Sequence, residues 1–337
     1  MSHIHIIHEN DEWTAPLLAE LDGLGHPYQD WHLGEGRLAL DEAPPAGVFY
    51  SRMSASSHTR GHRYAPELTG GVLAWLESHG ARVLNGTRAL ALEVSKMAQY
   101  AALRQHGIPV PRTEAALGRE QIAAAACNFR EAFITKHNRA GKGLGVRLHQ
   151  DVDGLIGYLD GPEFEPSVDG ITLLQEYIRA PTPHITRVEF IGQELLYAVR
   201  VDTSEGFELC PADACEVGES ACPVSGPASS EDTEKFAIIE NFRHPLVDAY
   251  RSFMVRHELQ VAAFEFIVDG RGEAYTYDIN TNTNYNPGAE ARAGRSGMGT
   301  LARFLGVELA RRNMLDQGSL DYASLDRSRA RLSVASR

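Results

Sequence analysis

The alternation of hydrophobic and polar positions predicts a β-hairpin in the last third of the chain. Two alternating runs, residues 261–268 and 273–280, flank the sequence Asp-Gly-Arg-Gly. Glycine in a short turn between two such runs is a strong hairpin signal. If the turn closes symmetrically, Glu265 lies opposite Thr276. The alternation then assigns each side chain of the hairpin to one of two faces.

The two faces of this hairpin differ in chemistry. One face carries the residues that we expect in the core, namely Phe264, Phe266, Tyr275, Tyr277 and Ile279. The other face carries Glu265, Asp278 and Asn280. Three oxygen donors on one face are a candidate site for Mg²⁺, which takes one or two carboxylates together with substrate phosphates. The alternative is that this face is the solvated side of the hairpin.

Short apolar runs alternate with amphipathic helical patterns at the start of the chain. Strands are predicted at residues 3–8, 28–33, 47–53 and 82–85, with one helix after the first strand and another over residues 67–79. This order is typical of a small open α/β unit with parallel strands. The histidines of the first strand are interpreted as strand-face residues rather than as metal ligands.

The loop after the third of these strands is cationic. It carries Arg52, Arg60, His62 and Arg63. In open α/β sheets, the loops beyond the carboxyl ends of the strands hold ligands. This loop is therefore a candidate site for an anionic substrate, and a solvated surface loop is the alternative interpretation.

A glycine-rich loop follows in the middle of the chain. An amphipathic helix over residues 90–106 carries Lys96, and a strand over residues 132–136 ends in Lys136. The loop residues are Gly141, Lys142, Gly143 and Gly145. Glycine allows backbone amides to close over phosphates. The loop leads into a strand rather than a helix, so it is neither a P-loop nor a dinucleotide-binding fingerprint.

Further strands precede the acidic hairpin. An apolar strand over residues 171–178 ends in Gln-Glu-Tyr-Ile, and a second hairpin follows over residues 185–191 and 195–202. This hairpin carries Arg187 and Arg200, and a lone arginine on a strand needs a partner. Long helical segments are predicted over two ranges, residues 233–257 and 299–313.

Composition indicates a globular protein with more than one domain. The chain has 337 residues, is 43% hydrophobic and carries a net charge of −13. This charge argues against binding to nucleic acid or to an anionic membrane surface. No apolar run approaches the roughly 20 residues of a spanning helix. The N-terminus lacks the pattern of a secretory signal, so we expect a cytoplasmic protein.

The four cysteines do not show the spacing of a zinc site. They are Cys127, Cys210, Cys215 and Cys222. Zinc ribbons use pairs of cysteines two residues apart, and no fourth ligand lies near the last three. We interpret all four as free thiols, with a structural metal as the alternative.

Taken in order, these features closely resemble the ATP-grasp ligases, and most closely the RimK-type and glutathione-synthetase-like branch. The matching features are Lys96, the sequence GIPVP, Lys136, the AGKGLG loop, QEYI, Arg187 and Arg200, and then Glu265, Asp278 and Asn280. No single motif is decisive, but the ordered set is specific. The resemblance covers residues 85–287, and the α/β unit before them resembles the usual N-terminal domain of the family.

The resemblance implies an α/β (α+β) fold in three parts. The parts are a small open α/β domain over residues 1–88, a central lid subdomain over 89–180 and a C-terminal antiparallel-sheet subdomain over 181–317. The residues that follow, 318–337, are rich in serine and arginine and are expected to form a flexible tail.

The resemblance also implies roles for matching residues. Lys96 and Lys136 match lysines that contact phosphates. The glycine-rich loop matches a mobile lid over the nucleotide. The backbone hinge that pairs with adenine is matched by Gln175, Glu176, Tyr177 and Ile178. The ligands of Mg²⁺, for which Mn²⁺ is a substitute, are matched by Glu265, Asp278 and Asn280. Arg200 matches an arginine near the transferred phosphate. Arg187 is a second catalytic candidate.

The activity that the resemblance implies is ATP-dependent joining of a carboxylate and an amine through an acyl phosphate, with release of ADP and phosphate. The expected partners are small amino-acid or peptide-like substrates, and a homodimer or higher homo-oligomer is left open. Substrate contacts are expected from Arg52, Arg60, Arg63 and Asn282. An ATP-grasp kinase and a nucleotide-binding regulatory module are the alternatives.

Two departures from the family pattern bear on the acceptor. Ser95 stands where the family usually has an acidic residue before the first lysine. The usual Asn-x-x-Pro-Gly turn after the metal ligands is replaced by residues 280–286, with Pro287 and Gly288 arriving later. The sequence therefore leaves the acceptor unassigned, whereas the nucleotide-binding features are present.

Overall fold

The described part of the chain folds into three β-sheets with helices packed against them. The computed structural model describes residues 2–141, 143, 145–204 and 235–334, with side chains as far as Asp316. Each sheet lies within one of the three segments predicted above. The boundaries of those segments stay a prediction. No helix in the described residues is long and apolar enough to cross a membrane.

The N-terminal sheet consists of four parallel strands, as the sequence predicts. Its strands and helices are β1 (His3–His8), α1 (Asp11–Gly23), β2 (Tyr28–His32), β3 (Gly47–Ser51), α2 (Ala65–Ser78) and β4 (Arg82–Leu84). The strand order is β2-β1-β3-β4, and all pairs are parallel. A short 3-10 helix, Ser57–Arg60, lies in the cationic loop between β3 and α2. Every residue of β3 is buried, because layers pack on both faces of the sheet.

The helix predicted over residues 90–106 is divided into two, α3 (Thr87–Glu93) and α4 (Lys96–Gln105). The break has a local cause at Ser95, whose backbone is extended and whose side chain accepts a hydrogen bond from the backbone N–H of Ala98. A serine at this position caps the new helix. The break places Lys96 at the first residue of α4.

The central sheet is antiparallel. It contains β5 (Thr113–Leu117), β6 (Phe133–His137), β7 (Arg147–His149) and β8 (Ile171–Glu176) in the order β5-β8-β6-β7. Helices α5 (Arg119–Ala126) and α6 (Val152–Asp160) share a core with this sheet that includes Phe133, Leu155 and Leu174. The glycine-rich loop joins β6 to β7.

The C-terminal sheet has five antiparallel strands. They are β9 (His184–Ile191), β10 (Glu194–Asp202), β11 (Phe236–Ile239), β12 (Val261–Val268) and β13 (Ala274–Asn280). Their order is β11-β10-β9-β12-β13. One face packs on α7 (Leu246–Arg256) and on α3 and α4. The other face shares a core with the N-terminal sheet.

Two helix predictions in this region are corrected. The range 233–257 is not one helix, because residues 236–239 pair with β10 as the edge strand β11 before α7 begins. The last helix, α9 (Gly297–Val334), begins earlier and ends later than the predicted range 299–313. The sequence after residue 313 lacks proline and contains several Leu and Arg, which favour helix.

Helix α9 connects the first and third sheets. Its residues Leu301 and Leu305 are fully buried in one cluster with Ile4, Val48 and Val261. Burying apolar side chains from both sheets against one helix fixes their relative position. Helix α8 (Pro287–Ala293) lies between β13 and α9 in the chain.

Of the four cysteines, Cys127 is free and exposed. The other three, Cys210, Cys215 and Cys222, lie outside the described residues.

Candidate functional site

A cavity of about 600 Å³ lies between the three sheets and collects most of the predicted site residues. The predicted residues in its wall are Lys96, Lys136, Gly141, Gly143, Gln175, Glu176, Tyr177, Ile178, Arg187, Glu265, Asp278, Asn280 and Asn282. They come from the helix α4, from the central sheet and from the C-terminal sheet. A volume of this size is typical of a small-molecule site.

The acidic hairpin forms one wall of this cavity, and its register differs from the symmetric one. Glu265 lies opposite Asp278 rather than Thr276, because Val268 pairs with Ala274 rather than Glu273 at the turn and the pairing shifts by one further residue at Tyr277. A bulge of this kind reverses which side chains face the core beyond it. Thr276 is therefore buried and bonded to the hydroxyl of Tyr250, whereas Tyr277 lines the cavity.

The corrected register brings the three predicted metal ligands together. Residues directly opposite in a pair of strands share a face, so Glu265 and Asp278 are neighbours. The side-chain amide of Asn280 donates to Glu265 Oε1 at 3.3 Å. Two carboxylates and an amide oxygen are the donors that a hard cation such as Mg²⁺ prefers. The donor set therefore fits this metal.

Two lysines lie beside this wall. Lys96 Nζ contacts Asp278 Oδ1 at 2.5 Å, so it holds a positive charge against the acidic pair. Lys136 is buried, with Nζ 3.4 Å from the backbone oxygen of Tyr277 and 5.0 Å from the ring centre of Tyr100. Burial, with repulsion from Lys96, lowers the pKa of Lys136 to about 7. Both amines are placed to meet anionic groups of a ligand.

Arg187 lies on β9 directly opposite Glu265, and all three of its guanidinium nitrogens donate to neighbouring groups. Its guanidinium donates to Glu189 Oε1 at 2.5 Å, to Glu265 Oε1 at 2.7 Å and to Thr283 Oγ1 at 2.7 Å. The two carboxylates raise the pKa of Arg187 above its ordinary value, although burial opposes them. This network fixes the side chain of Glu265 in the cavity wall.

The end of β8 forms another part of the wall. The backbone N–H of Glu176 donates to Arg112 O at 2.9 Å, and the backbone N–H of Tyr177 donates to Ala132 O at 3.2 Å. Apolar side chains face the cavity near this segment, among them Pro111, Ile134, Ile178, Ile185 and Ile267. These two bonds hold the segment in place, and the apolar side chains beside it suit a flat heteroaromatic ring.

The glycine-rich loop lines the cavity through Gly141 and Gly143. Gly143 and Gly145 have φ values of +74° and +72°, which strongly favour glycine. A Cβ on Gly145 would lie 2.3 Å from the ring of His137. Lys142 lies outside the described residues.

The cationic N-terminal loop does not form the anion site predicted from its charge. Arg60 pairs at 2.5 Å with Glu9, which is distant in the sequence. Arg63 pairs at 3.0 Å with Glu67, which lies four residues later. An acid therefore neutralises each of these two arginines. Neither they nor Arg52 lines the cavity in the described structure. Arg52 is buried and lies one layer behind the wall.

The structure does not support the predicted role of Arg200. This residue is exposed on β10 and lies opposite Thr186, so it is on the other face of the sheet from Arg187. It is not part of the described cavity wall. Hairpin alternation could not distinguish the two arginines, because the bulge near Leu195 shifts their relative register.

Glu93 is a site residue that the sequence did not indicate. It lies at the end of α3 and in the cavity wall, where its carboxylate accepts from the backbone N–H groups of Thr281 at 2.7 Å and of Ala55 at 3.2 Å. Burial raises the pKa of Glu93 above its ordinary value. A polar residue at a helix end usually faces solvent, so no pattern could have identified it.

A second polar cluster, outside the cavity wall, contains His8, Asp11 and Asp30. Both ring nitrogens of His8 are engaged, since Nδ1 accepts from the backbone N–H of Asn10 and Nε2 contacts Asp30. An imidazole that already accepts at Nδ1 has its proton on Nε2, which disfavours metal binding there. This agrees with the interpretation of His8 as a strand residue.

Solved structures with the same fold were found although no family model and no curated protein matches the sequence. The ATP-grasp ligase PsnB, complexed with a minimal precursor, has a TM-score of 0.61 and 19% identity over 91% of this chain and 99% of its own. A RimK-domain ATP-grasp protein from Sphaerobacter thermophilus has a TM-score of 0.59 and 19% identity, covering 90% and 99%. D-cycloserine synthetase DcsG has a TM-score of 0.59 and 16% identity, covering 91% and 99%.

The chain has the ATP-grasp fold, and the fold prediction is confirmed. Nearly all of each of these three proteins is matched by this chain, so the similarity includes the N-terminal sheet as well as the two later sheets.

Proposed function

We propose that this protein is an ATP-dependent carboxylate–amine ligase. The observation that carries the proposal is the meeting, in one cavity, of the acidic set Glu265, Asp278 and Asn280 with the amines of Lys96 and Lys136. Such a combination binds a triphosphate with its metal. Among the structures that share the fold, PsnB is named a ligase and DcsG a synthetase, which supports the same class of reaction.

Each part of the wall has a task in this proposal. The apolar segment at the end of β8 holds adenine, and its backbone pairs with the base. Lys96 and Lys136 contact the phosphates as point charges. Glu265, Asp278 and Asn280 would hold Mg²⁺, which supplies charge neutralisation at the phosphates when bound. The glycine-rich loop covers the nucleotide and excludes water.

The reaction proceeds in two steps. A carboxylate oxygen of the acid attacks the γ-phosphorus of ATP, and the bond from that phosphorus to the bridging oxygen breaks, so ADP leaves and an acyl phosphate forms. The amine nitrogen then attacks the acyl carbon and loses a proton, and phosphate leaves. Positioning and charge stabilisation carry such phosphoryl transfer, so no protein nucleophile is needed.

Arg187 serves as a positioning residue. Each of its three guanidinium nitrogens donates a hydrogen bond, to Glu189, Glu265 and Thr283. It therefore orients Glu265 towards the cavity rather than contacting the transferred phosphate. Arg187 and Glu189 keep this orientation in the absence of ligand, which lowers the cost of organising the site.

The test is ADP release from pairs of substrates. Amino acids and small peptides are supplied in pairs with ATP and Mg²⁺. ADP and free phosphate released together only when an acid and an amine are both present indicate a ligase. A stable phosphorylated product would indicate a kinase instead, and nucleotide binding without turnover with any pair would indicate a regulatory module.

The matched variants are Asp278→Asn and Asp160→Asn. Asp278→Asn removes one charge from the acidic wall, and we expect its turnover to fall by at least about a thousandfold, in line with the loss of a main electrostatic group. Asp160 is exposed at the end of α6, so its variant should keep full activity. Full activity in Asp278→Asn, with an unchanged melting temperature, would contradict the proposal.

A further inference from the structure

A carboxylate whose described partners are all uncharged lies in the cavity wall. Glu93 is the last residue of α3 and lines the cavity. Its Oε1 accepts a hydrogen bond from the backbone N–H of Ala55 at 3.2 Å. Its Oε2 accepts from the backbone N–H and the hydroxyl of Thr281, at 2.7 Å and 3.0 Å, and from the backbone N–H of Asn282 at 3.3 Å. No cation of the described chain is among these donors.

Two other acids of the wall have a cation beside them. Asp278 contacts Lys96, and Glu265 contacts Arg187. The fold therefore supplies a cation where an acid of the wall is neutralised within the protein. Glu93 is held by hydrogen bonds from uncharged groups instead, and burying a charge without a counter-ion is costly. A cationic ligand would remove this cost.

The hydrogen bonds favour the ionised form of Glu93. All four groups donate to the carboxylate, and donors to a carboxylate stabilise its charged form. Burial raises the pKa of Glu93, whereas the bonds from Thr281 and Ala55 oppose this rise. The carboxylate also has accepting capacity left, because Oε1 receives one of the four described bonds and Oε2 the other three.

A second acceptor lies next to this carboxylate. The side-chain oxygen of Asn282, Oδ1, is buried and has no hydrogen-bond partner in the described structure. Asn282 lines the cavity, and its backbone N–H donates to Glu93. An unpaired buried acceptor is costly, so a ligand that donates to it is favoured. An ammonium ion carries N–H donors and a positive charge and has no acceptor, so it matches a carboxylate and an amide oxygen together.

The two acceptors lie beside the proposed metal and phosphate site. Thr281 directly follows Asn280 of the acidic wall, and Ala55 belongs to the loop after β3 of the N-terminal sheet. Asp278 is close enough to Glu93 to raise the pKa of its carboxyl. A ligand nitrogen bound to Glu93 therefore lies where the acidic wall meets the N-terminal sheet, next to the place proposed for the acyl phosphate.

We propose that Glu93, together with Asn282 Oδ1, binds the amine substrate as its ammonium ion. This inference rests on the proposed ligase function and names the class of the second substrate, an amine basic enough to be protonated at neutral pH. The carboxylate of Glu93 takes one proton from the bound ammonium. The nitrogen then bonds to the acyl carbon, the bond from that carbon to the phosphate oxygen breaks, and the second proton of the nitrogen leaves with the phosphate.

The experiment compares a basic amine with hydroxylamine, which is uncharged near neutral pH and traps an acyl phosphate as a hydroxamate. Wild-type protein is assayed with ATP, Mg²⁺ and one acid, together with either hydroxylamine or a basic amine found by ADP release. In Glu93→Gln, the ratio of kcat/KM for the amine to kcat/KM for hydroxylamine should fall by about a hundredfold, because a charge-assisted contact and a proton acceptor are lost. Damage to the fold or to the first step lowers both constants alike. An unchanged ratio would therefore overturn the inference.

Two further variants support this comparison. Asn282→Ala removes the unpaired oxygen and should lower the same ratio by about threefold to tenfold, as expected for an uncharged contact. If Glu93→Gln forms neither product, an unchanged ratio in Asn282→Ala overturns the inference. The control Glu42→Gln alters an exposed acid in the loop before β3, outside the cavity wall, and should leave the ratio unchanged.

The outcomes distinguish this inference from the proposed function. If wild type gives neither hydroxamate nor ADP release with any acid, the ligase proposal fails and the inference fails with it. If wild type forms hydroxamate but joins no basic amine to the acid, or joins only weakly basic amines, the activation of a carboxylate stands and the inference is overturned.

Discussion

Arg187 and Arg52 are both buried guanidiniums near one cavity, but their surroundings differ. Arg187 is 5% exposed and donates to two carboxylates and one hydroxyl. Arg52 is 2% exposed and, within the described chain, donates only to uncharged groups. The first region is complete in the absence of ligand, and the second has donors left over.

The difference separates a buried guanidinium whose charge is matched by acids of the protein from one whose described partners are all uncharged. A buried charge that is paired and bonded does not need a substrate. A buried charge with neutral partners lowers the stability of the protein unless a ligand supplies the counter-charge. On this basis Arg187 organises the acidic wall of the cavity through Glu265, whereas the charge of Arg52 has no matching acid in the described part of the chain.

Lys136 is a buried cation of a third kind. An arginine stays charged under all ordinary conditions, whereas a lysine can lose its proton. Burial lowers the pKa of Lys136 to about 7, so about half of its molecules are neutral at that pH in the ligand-free protein. The cost of burial is thus reduced without an acid at contact distance.

The largest expected effect concerns the stability of the two arginine regions. Arg187→Met leaves Glu189 and Glu265 buried without their cation and should lower the free energy of unfolding by about 3–5 kcal/mol. Arg52→Met should change it by no more than about 1 kcal/mol, because loss of two hydrogen bonds is offset by removal of an unpaired charge. Urea unfolding of both variants measures this. Equal losses would remove the distinction between the regions.

The next effect concerns Lys136 and pH. A triphosphate favours the charged amine of Lys136, so above pH 7 the protein must take up a proton when it binds nucleotide. The affinity for nucleotide should therefore fall by up to tenfold for each unit by which the pH is raised. The Kd of AMPPNP, measured by calorimetry from pH 7.5 to 9.5 at fixed Mg²⁺, tests this. In Lys136→Met the affinity should be lower and the slope absent. An identical slope in the variant would assign the proton to another group.

The same pKa has a consequence for stability with a defined sign. The folded-state pKa of Lys136 is about 7, below its ordinary value of 10.5, so the folded state favours the neutral amine. The contribution of Lys136 to stability therefore rises with pH from about 7 to about 10.5 and is least favourable below 7. The difference in unfolding free energy between wild type and Lys136→Met should follow this course.

The smallest effect concerns the glycine-rich loop. Gly145→Ala introduces a Cβ at positive φ and against the ring of His137, so it should destabilise the protein by about 1 kcal/mol or more and weaken nucleotide binding. Gly118→Ala is the control, since Gly118 also has positive φ but has no atom within 4 Å of the added Cβ. If both variants behave alike, contact with His137 contributes nothing beyond the backbone strain.

The sequence predicted the fold and the acidic wall because both are encoded in local periodicity and in the order of motifs. Alternation assigned Glu265, Asp278 and Asn280 to one face even though the register of the hairpin was wrong. The register at Glu265 differs from the predicted one by two residues, one at the turn and one at the bulge, and a shift of two keeps the same side chains on one face.

Pairing between charged residues was not predictable in the same way. Arg60 and Arg63 looked like free cations in a loop, but Glu9 and Glu67 neutralise them in the fold. Arg52 comes from the same loop and has no such acid among the described residues. Only the three-dimensional arrangement distinguishes it, because charge along the chain does not show which acids approach each arginine.

The most direct test of the account measures the metal and nucleotide at the acidic wall without knowledge of the substrates. Mn²⁺ serves as a paramagnetic probe, and its binding together with AMPPNP is followed by electron paramagnetic resonance. We predict one bound Mn²⁺–nucleotide complex per wild-type chain, the same in Asp160→Asn, and loss of the bound signal in Asp278→Asn. Equal binding by wild type and Asp278→Asn would contradict the assignment of this cavity as the nucleotide site.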